Sequence, residues 1–457
     1  MLSITCRLLV AIFLCSQSTG AQVMIPAPNG TYTVGLSILE LKNTDSIQPY
    51  APDVEVPDLM LSVFYPTDNK ETAQRPYMDE DTAVFEDLAQ AQQSGLDSKA
   101  GTFQQLSLQL AVNGSHVAQP EGDGGWPMLV FGCALGTTRL FYSALLSQVA
   151  SAGYVVVAYD TPYDTDIVVY PNGDNITTSE TMAAALGSTN ATFLEHFLIA
   201  DINARAQDAS FIITSFNDTS FASSVIPGCD SCLNPTHVGY FGHSVGGSTG
   251  ATLMVNDTRV AGAANLDGAV IGDVVKQGLD RPFMLMAITG QTREGKLAVS
   301  EQTNWAEFWG NLRGPSFDLI VNNAAHYTYS DLPLILELLD IFPTNQTVLG
   351  NLEITTMNGT RAHHIVTAYI VTFFDWLLKG GSDSIIKSPT PEFPEVSLDY
   401  GDTEVFSNGT VIGAVNGSVI SRPGSGSAGD ENSATPISTR GKLVWVVGFL
   451  IALSFVV

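Results

Sequence analysis

The sequence predicts an α/β fold, a mostly parallel central sheet covered by helices on both faces. Three observations carry that expectation. From residue 127 onward, short apolar runs alternate with stretches of helical period. The runs at 127–131 and 154–159 (Tyr-Val-Val-Val-Ala-Tyr) are apolar at successive positions, as strands buried on both faces must be. The run at 238–241 leads into Gly242-His-Ser-Val-Gly246 and then into a small-residue helical pattern at 247–255. That is a tight strand-to-helix turn with a serine at its tip and glycines on either side, so that the backbone can close.

Taken in order, residues 1–21 read as a secretory signal: Arg7, an apolar run at 8–14, then small residues Ser18, Thr19, Gly20 and Ala21. One large domain is expected over 22–379. It opens with strands at 31–41 and 59–65, the second ended by Pro66, and an irregular insertion at 67–125 carries an acidic helical piece at 79–93. The strand at 127–131 is followed by a helix at 140–152, the strand at 154–159 and a long helix at 197–216. After the serine turn come strands at 260–266, 282–288 and 317–321, with helices at 304–309, 332–339 and 362–378. Residues 380–432, rich in Ser, Gly, Pro and Asp, read as a stalk. Residues 433–457 end in fifteen apolar positions behind Arg440 and Lys442. With the small residues Asn432-Ser-Ala434 upstream, this fits a glycosylphosphatidylinositol signal attached at Asn432, with Ser427 as the alternative.

Composition supports export. Ten asparagines stand in Asn-x-Ser/Thr: Asn29, Asn113, Asn175, Asn190, Asn217, Asn256, Asn345, Asn358, Asn408 and Asn416. Chance would give about four. Beyond the signal only Cys133, Cys229 and Cys232 remain; no second Cys pair completes a zinc site, so Cys229–Cys232 is expected as a loop disulfide and Cys133 as a free thiol. A net charge of −27 argues against nucleic acid or an anionic membrane as partner. No cofactor, metal or obligate protein partner is indicated.

A serine hydroxyl needs a base to become a nucleophile, and a histidine held by a carboxylate suits that task at neutral pH. Ser244 sits at the strand-to-helix junction; Ser248, in the overlapping Gly246-Gly-Ser-Thr-Gly250, falls one helical turn later and reads as packing. Downstream, His326 follows the strand at 317–321, whereas His363 and His364 begin a long helix. Asp267 ends the strand at 260–266 and is favoured as the acid over Asp273, Asp280 and Glu294. His243 reads as the variable residue of the turn, its side chain leaving on the far side. Two backbone amides must face the developing oxyanion. Val245 supplies one, and the Gly132–Thr138 loop supplies the other.

These pieces, in this order, resemble the plasma-type (isoform II) platelet-activating-factor acetylhydrolases of the α/β-hydrolase superfamily. The resemblance runs through Thr31-Tyr-Thr-Val-Gly35, Ser62-Val-Phe-Tyr-Pro66, Trp126-Pro-Met-Leu-Val-Phe131, Leu135-Gly136, Arg139-Leu-Phe-Tyr-Ser143, Gly153-Tyr-Val-Val-Val157, Gly242-His-Ser-Val-Gly-Gly247, Leu266-Asp-Gly268 and His326. The segment Val157-Ala-Tyr-Asp-Thr-Pro-Tyr-Asp164 is similar to that of secreted fungal members. The resemblance implies a metal-independent serine esterase with Ser244 as nucleophile, Asp267 as acid, His326 as base, and Leu135 and Val245 as oxyanion donors. Gly242 and Gly246 would shape the elbow. Two departures stand out: Cys133-Ala134 replaces the family's His-Gly, and Val245 replaces a bulky aromatic residue.

The expected substrate is a short-acyl phospholipid or related ester outside the cell. A broad or cutinase-like polyester hydrolase is the alternative with the same triad. A catalytically silent surface-binding protein is the alternative without it.

Overall fold

A computed structural model of the chain describes residues 22–120, 124–289, 305–388, 390–401, 404–407 and 410–414. Its centre is a nine-stranded sheet. The strands are β1 (Thr33–Lys42), β2 (Asp58–Thr67), β3 (Trp126–Gly132), β4 (Val155–Asp160), β5 (Leu233–His243), β6 (Val260–Leu266), β7 (Phe283–Ile288), β8 (Ser316–Val321) and β9 (Val396–Gly401). Their order across the sheet is β9-β8-β7-β6-β5-β3-β4-β2-β1. The inner pairings, from β8 through to β4, are parallel. At the two ends, β1–β2, β2–β4 and β8–β9 are antiparallel. The sheet is therefore mixed, and the expectation of a mostly parallel sheet holds for its interior alone.

Side chains alternate between two cores, as the two-residue period of a strand requires. On β3, Leu129 and Phe131 face one cluster, with α2 (Ser143–Ser151) and α5 (Gly359–Lys379). Met128 and Val130 face the other, with α3 (Ala191–Asn217) and α4 (Val245–Asn256). The expected elements are present with small shifts at their ends, β2 running on through Pro66 to Thr67.

Two expectations are corrected. Among its described residues the 67–125 insertion holds a regular sheet: Thr72–Pro76 and Leu106–Ala111 pair with each other, and Val23–Met24 joins them. Helix α1 (Glu80–Ser94) buries Glu86, Asp87 and Gln90 and exposes Val84 and Leu88, the reverse of the usual pattern. Asp87 explains part of this, because its carboxylate accepts from the amides of Gly101, Thr102 and Phe103. The segment read as a stalk also contributes to the domain, since its residues 396–401 form the edge strand β9. A ribbon of Ile167–Val169 with Asn175–Thr177, and a helix at Glu180–Leu186, carry no periodic signal long enough to read.

Cys229 and Cys232 are joined as a disulfide, and Cys133 is a free, buried thiol. The signal at 1–21, Ser427, Asn432 and the tail at 433–457 lie outside the described residues, as do Glu294, Asn408 and Asn416. The remaining eight sequon asparagines are all exposed. Asn190, Asn345 and Asn358 cap helices with their side chains. Among the described residues no helix is long and apolar enough to cross a membrane.

Candidate active site

In a sheet with a parallel interior, functional groups gather beyond the carboxyl ends of the strands. Here β5 ends at His243, beside Gly132 at the end of β3 and Leu266 at the end of β6. Ser244 follows with φ 56° and ψ −125°, a conformation rare outside glycine, and α4 begins at Val245. The turn is held by the Ser244 amide, which donates to the Leu266 carbonyl at 2.8 Å. It closes only because its neighbours lack side chains. A Cβ on Gly246 would lie 2.1 Å from the Gly132 carbonyl oxygen, and one on Gly268 would lie 2.0 Å from that of Ser244. Ser248 is buried and donates to the carbonyls of Ser244 and Ala269, the packing role expected of it.

Asp267 begins the next loop, also with positive φ (55°). Its amide bonds the Met286 carbonyl at 2.8 Å, and one carboxylate oxygen accepts the Ile288 amide at 3.2 Å. The other oxygen lies 2.7 Å from His326 Nδ1. That leaves Nε2 as the ring nitrogen free of the carboxylate. The His326 side chain is 26% exposed while Asp267 is fully covered. Burial works against the imidazolium, but the bond and charge of Asp267, and then the charge of Glu353, outweigh it and raise the His326 pKa above its ordinary 6.5.

The described rivals do not meet this pair. His363 and His364 lie in α5, where His364 approaches Glu392 at 3.9 Å. Asp280 faces Arg281, and Asp273 precedes a short helix, Val274–Gln277. His243 does not pair with the acid; it lies buried, its ring 4.6 Å from that of His326. Its Nδ1 is bonded to the Tyr142 hydroxyl at 2.9 Å. Burial, then the nearby His326 charge, pushes its pKa well down, so it stays neutral. Nothing local in the sequence marks the contact with Tyr142, 101 residues away.

The loop after β3 packs against the elbow through Gly132 and Cys133, whose carbonyl oxygens would both crowd a Cβ at Gly246. Leu135 and Val245 meet in one buried apolar cluster with Met182, Leu186, Leu198 and Ile271. On either side of Leu135 the amides are engaged: Ala134 N–H with the Tyr142 hydroxyl at 3.3 Å, and Gly136 N–H with the Asp164 carbonyl at 3.2 Å. The Thr137 hydroxyl lies 3.1 Å from that of Tyr327, the residue after His326. Among the described residues no group of three or more His, Cys, Asp or Glu could hold a metal ion.

Known proteins are similar to this chain. A sequence profile of the family "platelet-activating factor acetylhydrolase, isoform II" matches residues 17–183, a stretch that includes the loop after β3 and stops before Ser244. A probable 1-alkyl-2-acetylglycerophosphocholine esterase of Arthroderma benhamiae is 27% identical over 407 residues, covering 83% of this chain and 95% of that protein. A ferulic acid esterase from Streptomyces cinnamoneus superposes with a TM-score of 0.67 at 25% identity, over 83% of this chain and 99% of its own. With an elbow serine, a paired aspartate and histidine, and these similarities, the chain is a carboxylic-ester hydrolase that resembles the isoform II platelet-activating factor acetylhydrolases over its first part.

Proposed function

We propose that this hydrolase works by acyl transfer through Ser244, Asp267 and His326, on phospholipids or related esters with a short acyl group. The observation that carries the reading is the Asp267–His326 pair at 2.7 Å beside the strained Ser244 turn. Asp267 fixes the imidazole with Nδ1 protonated, so Nε2 takes the Ser244 proton as Oγ attacks the ester carbonyl carbon. The carbonyl electron pair moves onto oxygen, where the Leu135 and Val245 amides receive it. Collapse of that intermediate expels the alkoxide, which takes the proton from His326. Water, activated by the same imidazole, then releases the acyl group. The chemistry calls for no cofactor.

Two things support a small acyl group and a lipid substrate. The side chains of Leu135 and Val245 are packed among Met182, Leu186, Leu198 and Ile271, so the wall beside the proposed oxyanion site is already filled. The relative spanning most of the chain carries the name of an acetyl-ester phospholipid hydrolase. The feruloyl-ester-cleaving structural neighbour favours a second reading, a broader esterase with the same triad. Comparing kcat/KM for phospholipids with sn-2 acetyl and sn-2 palmitoyl groups, a feruloyl ester and a polyester film separates the readings. A preference for the acetyl phospholipid of about tenfold or more is expected; equal or better turnover of the feruloyl ester or polyester would overturn the lipid assignment.

We place the enzyme outside the cell, either secreted or held by a lipid anchor at Asn432. Eight exposed sequons and the Cys229–Cys232 disulfide support export. Release of the cell-surface protein by phosphatidylinositol-specific phospholipase C tests the anchor.

A further inference from the structure

We propose that Arg205, on α3, positions the oxyanion loop for catalysis through the Cys133 carbonyl and Asp164, and that Arg139 with Asp160 fixes the loop's far end. The proposal rests on the reading of Leu135 as an oxyanion donor.

Arg205 is buried, and all three guanidinium nitrogens are occupied. Nε and Nη2 bond the two Asp164 carboxylate oxygens at 2.5 and 2.6 Å, and Nη1 donates to the Cys133 carbonyl at 2.8 Å. The backbone carbonyl of Asp164 accepts the Gly136 amide. A single ion pair thus holds the chain on both sides of Leu135, at Cys133 directly and at Gly136 through Asp164. Asp201 also lies 3.1 Å from Nε. Burial, then the charge of Asp164, pushes the Asp201 carboxyl pKa well up. At the other end the Arg139 amide donates to Asp160 Oδ1 at 2.6 Å, its guanidinium bonds the other oxygen, and Nε donates to the Ser62 hydroxyl at 2.9 Å. Both carboxylates come from one segment, Asp160-Thr-Pro-Tyr-Asp164, which begins at the last residue of β4.

A buried ion pair is a weak source of stability, because desolvation offsets most of the attraction. Geometry is what the planar guanidinium supplies here: two bonds to a carboxylate and a third, in the same plane, to a loop carbonyl. A lysine ammonium cannot reproduce that fork. Oxyanion donors must stay within about 0.5 Å of their working position, and a displacement of about 1 Å can cost on the order of a hundredfold in rate.

The test uses Arg205→Lys in the full chain, with kcat and KM on p-nitrophenyl acetate, active-site titration with a fluorophosphonate, and inhibition by an aryl trifluoromethyl ketone. Addition of Ser244 Oγ to that ketone converts its carbonyl oxygen to an alkoxide, the serine proton passing to His326. Its Ki therefore reports on the oxyanion donors. The expected result is an unchanged number of titratable sites, KM within about twofold, and kcat per site lower by about ten- to a hundredfold with Ki raised by a similar factor. Wild-type kcat per titrated site, whether or not fewer sites survive, would mean a purely structural role and would overturn the proposal. If Arg205→Lys does not fold, the apolar exchange Asp164→Leu with Arg205→Met removes the tether while filling the space, and the same readouts decide. A wild type in which no serine titrates would overturn the Ser244 reading itself, and this inference with it.

Discussion

At the scale of single residues, the charge on His326 sets the pH profile. Its raised pKa means that the neutral, base-competent imidazole is reached only above pH 6.5, so kcat/KM climbs with pH through that region and falls on the acid side. The groups facing it are Asp267, Glu353 and neutral His243. In Asp267→Asn the bond and charge that raise the pKa are gone and burial dominates, so the acid limb moves to lower pH. Because the imidazole also loses its tautomer, kcat falls by about 10⁴. A pH–rate profile of both proteins checks this; an unmoved acid limb would contradict it. Ser244 and Asp267 were picked out because each ends an apolar run, and His326 because it follows one shortly after, all local signals. The support around them was not. Tyr142 beneath His243, and Arg205 behind Cys133, meet their partners across 101 and 72 residues, and no spacing along the chain announces such contacts.

At the scale of elements, the elbow is an arrangement of glycines. Gly246→Ala forces a methyl into the Gly132 carbonyl, which neither backbone can evade, and is expected to destabilise by about 1–3 kcal/mol while lowering activity. Gly310→Ala is the matched control, since a Cβ there meets nothing within 4 Å on the helix Trp305–Asn311. It is expected to be neutral or stabilising by up to about 1 kcal/mol. Urea unfolding of the two variants checks the contrast; equal effects would show that the close approach at Gly246 is relieved by movement. The inner strands were readable because strands buried on both faces are continuously apolar. The edges were not. Thr72–Pro76 alternates exposed and half-buried positions, and β9 lies in a polar stretch whose pairing with β8 is a tertiary event. The burial of Asp87 on α1 was not legible, because its partners, the amides at 101–103, belong to another turn.

Across the whole molecule, acidic residues dominate, and some are buried. Burial pushes Asp208 and Asp331 up to about 7, against hydrogen bonds from Asn43 to the first and from Tyr77, Ala144 and Leu145 to the second. Both carboxyls then hold protons in the folded state that the unfolded chain has released above 3.8. The folded state binds more protons across this window, so stability is greatest at the acid end and is lost as pH rises toward 7. The urea midpoint should be higher at pH 5 than at pH 7.5, and Asp208→Asn should flatten the slope by up to one proton. A midpoint that rises over the same range would contradict the burial of these groups.

Acyl transfer in this enzyme requires Ser244 as the nucleophile, and treating the folded protein with a fluorophosphonate and mapping the adduct by mass spectrometry tests that. The expected result is one equivalent of label on Ser244, loss of label in Ser244→Ala, and a fall in kcat on the order of 10⁶ in that variant. A folded wild type that takes no label, or a Ser244→Ala protein that is labelled and hydrolyses esters at the wild-type rate, would contradict it.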